Sequence, residues 1–315
     1  MTRQATTNKV STKEEALKLL DQYDHFLFDC DGVIWLGPDK IAGASEFIEL
    51  LKEKNKSYAF VTNNSSVSRE TYLKKFEKLG FPDVNKDKIF PSCYAAALIL
   101  QRDLKVPEGS KVWVLGDEGI EDELKEAGYV PLGGNDPALD DDWDPAHRLL
   151  QVDEGVKAVV IGSTKKLNYL RVATTLQYLL HNNRSIPFIG TNIDKTYPGP
   201  FGTVLPAGGS FVNYMSFTSS RDFIDVGKPS SLLLDSIIKH CQFDRSKTLM
   251  FGDTLYTDIK FGNDGKLGGE AGGSLLVLSG GTSQEELDAL DNGDASLVPS
   301  YYVESVGKLV DLINN

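Results

Sequence analysis

Two aspartates that follow a short apolar run are the residues in this chain best suited to chemistry. Asp29 and Asp31 come directly after Phe26-Leu27-Phe28 and precede Gly32. Such a run is typical of a strand buried on both faces of a parallel sheet, and ligands collect beyond the carboxyl ends of these strands. We therefore expect both carboxylates at a ligand-binding edge. A solvated turn is the alternative that these residues alone leave open.

Polar residues also follow two other predicted strands. They are Thr62, Asn63 and Asn64 after the apolar run 58–61, and Asp253 and Asp258 after the run 248–251. Because parallel strands end at one edge of a sheet, we expect the three groups to lie together. Clustered carboxylates suit Mg²⁺, which takes oxygen ligands and keeps several waters. Lys228, just before a predicted helix, would bring a local positive charge to the same edge.

The composition is that of an ordinary globular protein with an acidic surface. The chain has 315 residues, of which 41% are hydrophobic and 25% charged, and its net charge is −12. This charge argues against nucleic acid or an anionic membrane as a general partner. No apolar run reaches the ~20 residues of a membrane span, and residues 1–10 do not resemble a signal peptide. We expect a cytoplasmic protein, with the nucleus as the alternative.

The three cysteines show no spacing typical of a disulfide framework or a zinc site. Cys30 lies between Asp29 and Asp31, where two interpretations remain open. It is either a small buried side chain or a thiol whose oxidation would inactivate the site.

Strand and helix patterns alternate along the chain, which predicts an α/β fold. Ser11-Thr12-Lys13-Glu14 is predicted to form a capping box that opens a helix ending near Asp21. The segment 197–209 is rich in proline and glycine, a composition typical of a hinge or linker.

Taken in order, these motifs resemble those of the haloacid dehalogenase superfamily. The matching residues are Asp29-x-Asp31-Gly32-Val33, Thr62, Lys228 and Gly252-Asp253-x4-Asp258. Asp-Cys-Asp-Gly-Val-Ile-Trp-Leu-Gly, Thr-Asn-Asn-Ser and Gly-Lys-Pro-Ser are similar to its 4-nitrophenylphosphatase and phosphoglycolate phosphatase branch. The resemblance implies an α/β protein with a Rossmann-like parallel-sheet core, residues 1–94 and 206–315, and an inserted large α/β cap domain, residues 95–205. It also suggests a homodimer formed through the cap.

The resemblance also implies catalytic roles for three residues. Asp29 would be the nucleophile that forms an aspartyl-phosphate, which splits one difficult displacement into two easier steps. Asp31 would protonate the leaving oxygen and then deprotonate the attacking water. Lys228 would neutralise charge on the nucleophile and bind the phosphate.

The remaining site residues are also assigned by resemblance. Mg²⁺ would be held by Asp29, the backbone carbonyl of Asp31, and Asp253. The phosphoryl oxygens would be bound by Thr62 with the backbone of Asn63 and Asn64, and Asp258 and Gly32 would support the site. Thr191-Asn192-Ile193-Asp194 matches a cap motif, which places Asn192 and Asp194 near the substrate entrance; a capped turn is the alternative.

These assignments predict a Mg²⁺-dependent phosphomonoester hydrolase that acts on small phosphorylated metabolites such as phosphoglycolate, with 4-nitrophenyl phosphate as an artificial substrate. A pyridoxal phosphate or phosphoprotein phosphatase of the same family is the alternative. A non-catalytic binding protein would be expected to lack Asp29, Asp31 or Lys228, and all three are present. Gly162-Ser163-Thr164 departs from the Gly-x-Asp that relatives usually have before the Asn-Tyr of the cap, so the finer substrate is left open.

Overall fold

Alternating strands and helices form most of the computed structural model, which describes residues 7–81, 83–290 and 294–315. The strands are β1 (Asn8–Lys9), β2 (His25–Phe28), β3 (Trp35–Leu36), β4 (Asp39–Lys40), β5 (Ser57–Thr62), β6 (Ile89–Pro91), β7 (Lys111–Leu115), β8 (Val130–Gly133), β9 (Val156–Ile161), β10 (Phe188–Gly190), β11 (Thr196–Pro198), β12 (Val204–Pro206), β13 (Ile224–Asp225), β14 (Thr248–Gly252), β15 (Ser274–Val277) and β16 (Tyr301–Val303). The helices are α1 (Lys13–Gln22), α2 (Ala44–Glu53), α3 (Arg69–Lys78), α4 (Ser92–Arg102), α5 (Glu118–Glu126), α6 (Tyr169–Arg184), α7 (Gly208–Ser219), α8 (Ser231–Cys241), α9 (Lys260–Asp264), α10 (Gln284–Asp288) and α11 (Val306–Asn314). This arrangement confirms the predicted α/β fold class.

The chain divides into two compact units. The first unit contains Met1–Thr62, Leu73–Phe90 and Lys228–Asn315, and the second contains Asn63–Tyr72 and Pro91–Gly227. The predicted change from cap to core after residue 205 falls inside β12, whereas the second unit continues to Gly227. The assignment of residues 95–205 as a cap domain stays a prediction.

The first unit is built on a sheet with the strand order β1-β16-β15-β14-β2-β5-β6, in which the six strands from β1 to β5 in this order pair in parallel. Phe28 of β2 lies opposite Phe251 of β14 on one side and opposite Phe60 of β5 on the other. All three strands run in the same direction, so the residues after each of them emerge at one edge. The register therefore places Asp29 between the residues that end β5 and β14.

A buried aromatic cluster fixes the end of β2. The ring of Phe28 lies 4.8 Å from that of Phe251 and 6.1 Å from that of Phe47 of α2, measured between centroids. All three side chains are fully buried. Burial of a large apolar side chain contributes about 1.5–3 kcal/mol, and rings at these separations add to it. The strand that carries the candidate acids is therefore held rigidly.

The second unit is built on its own parallel sheet, in the order β13-β10-β9-β7-β8. Its core includes Trp113 of β7 and Tyr178 of α6, whose stacked rings are 4.5 Å apart. Within this unit β11 and β12 form an antiparallel hairpin, with Tyr197 opposite Leu205. The interpretation of residues 197–209 as a linker is therefore wrong, because this segment contains a paired hairpin and the start of α7.

The capping box of α1 lies one residue later than predicted. Thr12 is the N-cap, and its hydroxyl accepts a hydrogen bond from the backbone N–H of Glu15 at 3.3 Å. The Glu15 carboxylate accepts from the backbone N–H groups of both Thr12 and Ser11. Glu15 therefore closes the box that the sequence assigned to Ser11 and Glu14.

Among the described residues, no helix combines the length and the apolar character that a membrane span requires.

Candidate active site

Asp29 lies at the end of β2, where the sheet determines its position. Its backbone N–H donates to the carbonyl of Phe251 at 2.8 Å, so the ladder between β2 and β14 continues through this residue. The residue is only 8% exposed. By contrast, Asp31 is exposed to solvent. The two acids of the motif thus have different environments, which allows them different chemical roles.

Lys228 supplies the positive charge at this site. Its Nζ lies 2.5 Å from Asp29 Oδ1 and 2.6 Å from Asp258 Oδ1, and it donates to the carbonyl of Val61 at 3.1 Å. The side chain is 2% exposed. Lys228 therefore joins three elements: the end of β2, the end of β5 and the turn after β14.

Backbone hydrogen bonds hold Asp253 and Asp258 in fixed positions. Asp258 lies in a π-helical turn, and its Oδ2 accepts from the N–H groups of Asp253 and Thr254, both at 3.1 Å. Asp253 Oδ2 accepts from the N–H of Gly281 at 2.6 Å. The five-residue spacing in Gly252-Asp253-x4-Asp258 thus lets the second acid fold back onto the first.

The first unit therefore contains a buried cluster of carboxylates. Asp29, Asp253 and Asp258 each place a carboxylate oxygen within 4.8 Å of the other two. Burial is the main cause that raises the pKa of Asp29 above its ordinary value, and burial together with the charge of Asp258 raises the pKa of Asp253 to about 7. The neighbouring carboxylates hold the pKa of Lys228 above its ordinary value despite burial.

This cluster has the chemistry that a hard divalent cation requires. Three buried carboxylates lie together with the positive charge of Lys228, and the pKa of Asp253 is raised first by burial and then by the charge of Asp258. Oxygen donors of this kind are those that Mg²⁺ prefers. Asp258 belongs to the cluster, although the sequence interpretation gave it only a supporting role. The predicted ligation by the Asp31 carbonyl stays a prediction.

Position 32 requires glycine for two reasons: the conformation of its backbone and the closeness of Asp253. Its φ of +82° lies in the left-handed region, which residues other than glycine rarely adopt. A Cβ at this position would also overlap the carboxylate of Asp253. Ser279 donates its hydroxyl to the carbonyl of Gly32 at 2.7 Å. The glycine thus allows the loop after β2 to pass directly beside Asp253.

The predicted phosphate-binding residues fall into both units. Thr62 ends β5 in the first unit and is buried. Asn63 and Asn64 begin the second unit, where Asn63 Nδ2 donates to Asp194 Oδ2 at 3.0 Å. Asn192 Nδ2 donates to the carbonyl of Asn63 at 2.7 Å. The structure thus brings Asp194 and Asn192 to the segment that directly follows Thr62 in the chain.

Cys30 is completely buried, in agreement with the first of its two interpretations. Burial, together with the neighbouring Asp29 and Asp31, raises the pKa of its thiol well above the ordinary value. Because the thiolate is the form that reacts with oxidants, we expect this environment to slow oxidation of Cys30. Inactivation of the site by oxidation of Cys30 stays a prediction.

Sequence reasoning missed an acid in the second unit and the contact between Asp253 and the loop after β15. Asp225 ends β13, and its Oδ1 accepts from the N–H of Gly227 at 3.0 Å. Burial, with a contribution from the charge of Asp194, raises the pKa of Asp225 to about 6. Gly281, which donates to Asp253, follows β15. Asp225 is the last residue of its strand and Gly281 lies in the loop after another, and this position at a strand end is the signal that could have found them.

Replacement of Asp225 by Asn is expected to stabilise the protein at neutral pH. A folded-state pKa of about 6 means that the folded state loses stability as the pH rises from about 4 through 6, because the partly buried carboxyl must ionise. Asn retains the oxygen that accepts from Gly227 and carries no charge. We expect the free energy of unfolding to rise by about 1–3 kcal/mol at pH 8 and to change little at pH 4.

Urea unfolding at both pH values measures this difference. Asp222→Asn, at an exposed position nearby, is the control and should change little at either pH. An equal effect of Asp225→Asn at pH 4 and pH 8 would contradict the explanation.

Two family models match the chain over most of its length. A model described as haloacid dehalogenase-like hydrolase matches residues 26–130, and a model described as HAD-hydrolase-like matches residues 225–309. The first includes Asp29, Asp31 and Thr62, and the second includes Lys228 and Asp253.

Curated relatives and solved structures extend this similarity to nearly the whole chain. The chain is 39% identical to a 4-nitrophenylphosphatase of Schizosaccharomyces pombe, over 96% of this chain and 98% of the relative. It is 37% identical to phosphoglycolate phosphatase 2 of Arabidopsis thaliana, over 94% of this chain and 95% of the relative.

Among solved structures, a p-nitrophenyl phosphatase from Archaeoglobus fulgidus matches with a TM-score of 0.74 and 28% identity, over 92% of this chain and 98% of that one. A glycerol phosphate phosphatase from Mycobacterium tuberculosis in complex with magnesium has the same fold, with a TM-score of 0.73 and 24% identity, over 92% of this chain and 77% of that one. Both the family resemblance and the prediction of a phosphoric monoester hydrolase are thereby confirmed: the chain belongs to the haloacid dehalogenase-like hydrolases, and within them to the phosphatases.

Proposed function

We propose that this protein hydrolyses small phosphate monoesters, of which phosphoglycolate is representative, in a Mg²⁺-dependent reaction that phosphorylates Asp29. One observation carries the proposal. A buried carboxylate at the end of a central strand lies 2.5 Å from a buried lysine and belongs to a cluster of three acids. A dianionic phosphate can approach such a nucleophile only where positive charge offsets the repulsion.

In this proposal Asp29 and Asp253 would hold Mg²⁺ through their side chains, together with the backbone carbonyl of Asp31. The cation would neutralise the phosphoryl oxygens and stabilise the charge that develops on them. Asp258 directs one oxygen to Lys228 and the other to two backbone N–H groups, which suits a residue that orients the site.

The reaction that we propose has two steps. An oxygen of Asp29 bonds to phosphorus, and the phosphorus–oxygen bond to the alcohol breaks while Asp31 gives the leaving oxygen a proton. Asp31 then takes a proton from water, which attacks the phosphorus and releases Asp29. Proton transfer by a positioned carboxyl is typically worth about 10²–10⁴-fold in rate. The solvent exposure of Asp31 suits a group that must reach both an alcohol and water.

We assign the second unit to substrate selection. Residues 95–205, the predicted cap, belong to this unit. Within it, Asp194 and Asn192 hydrogen-bond to Asn63, and we expect them to set the position of the Asn63 backbone that would bind the phosphate. A homodimer formed through the predicted cap, residues 95–205, stays a prediction.

A panel of phosphate esters tests the proposal. We expect Mg²⁺-dependent release of phosphate from phosphoglycolate, glycerol 3-phosphate and 4-nitrophenyl phosphate. Pyridoxal phosphate and a phosphoserine peptide represent the alternative substrates. Turnover that persists after exhaustive treatment with EDTA would refute the metal assignment, and faster turnover of the peptide than of the small esters would refute the substrate class.

A further inference from the structure

An indole N–H contacts the proposed acid of the site. Trp35 Nε1 donates a hydrogen bond to Asp31 Oδ1 at 2.8 Å. The loop between the two residues folds back on itself, since the backbone N–H of Gly32 donates to the carbonyl of Trp35 at 2.7 Å. Trp35 is fully buried, whereas Asp31 is exposed. A rigid buried group thus holds one oxygen of an acid that otherwise faces solvent.

The indole itself is held firmly by α3. The ring of Phe76 packs edge-on against Trp35 with centroids 5.0 Å apart, and Lys75 Nζ lies 3.9 Å from the centroid of the Trp35 ring. A cation over the ring withdraws electron density from the indole, which makes its N–H a better donor. Neighbouring residues therefore both fix the direction of this hydrogen bond and strengthen it.

We propose that Trp35 is a positioning residue, which occupies Oδ1 of Asp31 so that Oδ2 is the oxygen that exchanges protons with the leaving alcohol. The indole N–H donates to one lone pair of Asp31 Oδ1, so the acidic proton cannot lie on that side of Oδ1. This arrangement favours the proton on Oδ2. When Asp29 bonds to phosphorus, the electron pair of the breaking bond moves to the alcohol oxygen, and the proton on Oδ2 completes the alcohol. The inference rests on the proposed function, because it assigns a task within that reaction.

Leaving groups of different basicity reveal this role. An alkoxide requires a proton as it leaves, whereas 4-nitrophenolate is stable without one. We expect Trp35→Phe, which keeps an aromatic ring and removes the N–H, to lower kcat/KM for phosphoglycolate by roughly 10- to 100-fold and for 4-nitrophenyl phosphate by less than about 3-fold. KM should change by less than about 2-fold for either ester, because the phosphate contacts stay.

Trp113→Phe is a matched control. Trp113 is also buried, and its Nε1 donates to Thr175 Oγ1 at 2.9 Å in the second unit. Its replacement removes the same kind of hydrogen bond away from Asp31, so both esters should respond equally. Equal losses for the two esters in Trp35→Phe, or no loss in either, would overturn the proposal.

A second measurement does not depend on activity or on the folding of Trp35→Phe. The chain has three tryptophans, so Trp113→Phe and Trp143→Phe identify the indole N–H resonance of Trp35 in a ¹⁵N-correlated spectrum. We expect Asp31→Ala to move this resonance upfield and to leave that of Trp113 in place. An unchanged Trp35 resonance would overturn the proposal. If the proposed function itself were wrong, the wild-type protein would release phosphate from neither ester, whereas the resonance would still move.

Discussion

Replacement of Asp29 by Asn is expected to lower kcat for phosphate esters by at least about 10⁴-fold, the largest loss that we predict for a single substitution. The amide has the same shape but is not nucleophilic, so the bond to phosphorus cannot form. Phosphate release from 4-nitrophenyl phosphate with saturating Mg²⁺ measures the effect. Acid quenching with labelled substrate should trap phosphate on the wild-type protein and none on the variant.

The stability of the same variant distinguishes a chemical effect from a structural one. Asn removes one of three buried carboxylates, and Lys228 retains its contact with Asp258 at 2.6 Å. The thermal midpoint without Mg²⁺ should therefore be no lower than that of the wild type. Asp24→Asn, at an exposed position before β2, serves as the control and should be fully active. Phosphate release by Asp29→Asn at the wild-type rate would contradict the mechanism.

Replacement of Lys228 by Met is expected to damage both stability and catalysis. Met fills a similar volume but leaves Asp29 and Asp258 buried without a counter-charge, and breaking a buried ion pair typically costs about 3–5 kcal/mol. The loss of an electrostatic contact to the transferring phosphoryl group should lower kcat by roughly 10²–10³-fold. Urea unfolding and steady-state kinetics measure the two effects separately.

The same unfolding measurement can be repeated with and without Mg²⁺. A divalent cation would replace part of the missing positive charge, so Mg²⁺ should raise the unfolding free energy of Lys228→Met more than that of the wild type. Lys260→Met, which breaks the exposed pair with Asp264, is the control and should cost less than about 1 kcal/mol. A Lys228→Met protein as stable as this control would contradict the view that one lysine balances the site.

The sequence predicted the architecture well where a local pattern was sufficient. The apolar run 58–61 forms the centre of β5, and the three strands that end in polar residues are neighbours in one sheet and run in parallel. These predictions succeed because burial on both faces imposes a continuous apolar run on each strand. The placement of acids beyond the strand ends then follows from the shared direction of the strands.

What the sequence did not reveal depends on contacts between distant residues. Tyr197 pairs with Leu205, and this pairing turns a segment with the composition of a linker into a hairpin. Lys228 and Asp29 are 199 residues apart, so their 2.5 Å contact depends on the complete fold of the first unit. The hydrogen bond from Trp35 to Asp31 requires a loop conformation that no periodicity encodes. Local patterns therefore identified the candidate acids but not all the groups that hold them.

The surplus of buried acid at the site has an evolutionary consequence. Asp29, Asp253 and Asp258 lie in one buried cluster, and Lys228 pairs with Asp29 and Asp258. Neutral substitutions of these acids are therefore expected to relieve repulsion and, under the proposed mechanism, to remove activity. A chain selected only for folding would thus accumulate neutral residues at these positions, because stability favours fewer buried charges whereas the proposed activity requires the acids. We therefore expect a descendant of this chain that no longer needs its activity to lose Asp29, Asp253 or Asp258 early.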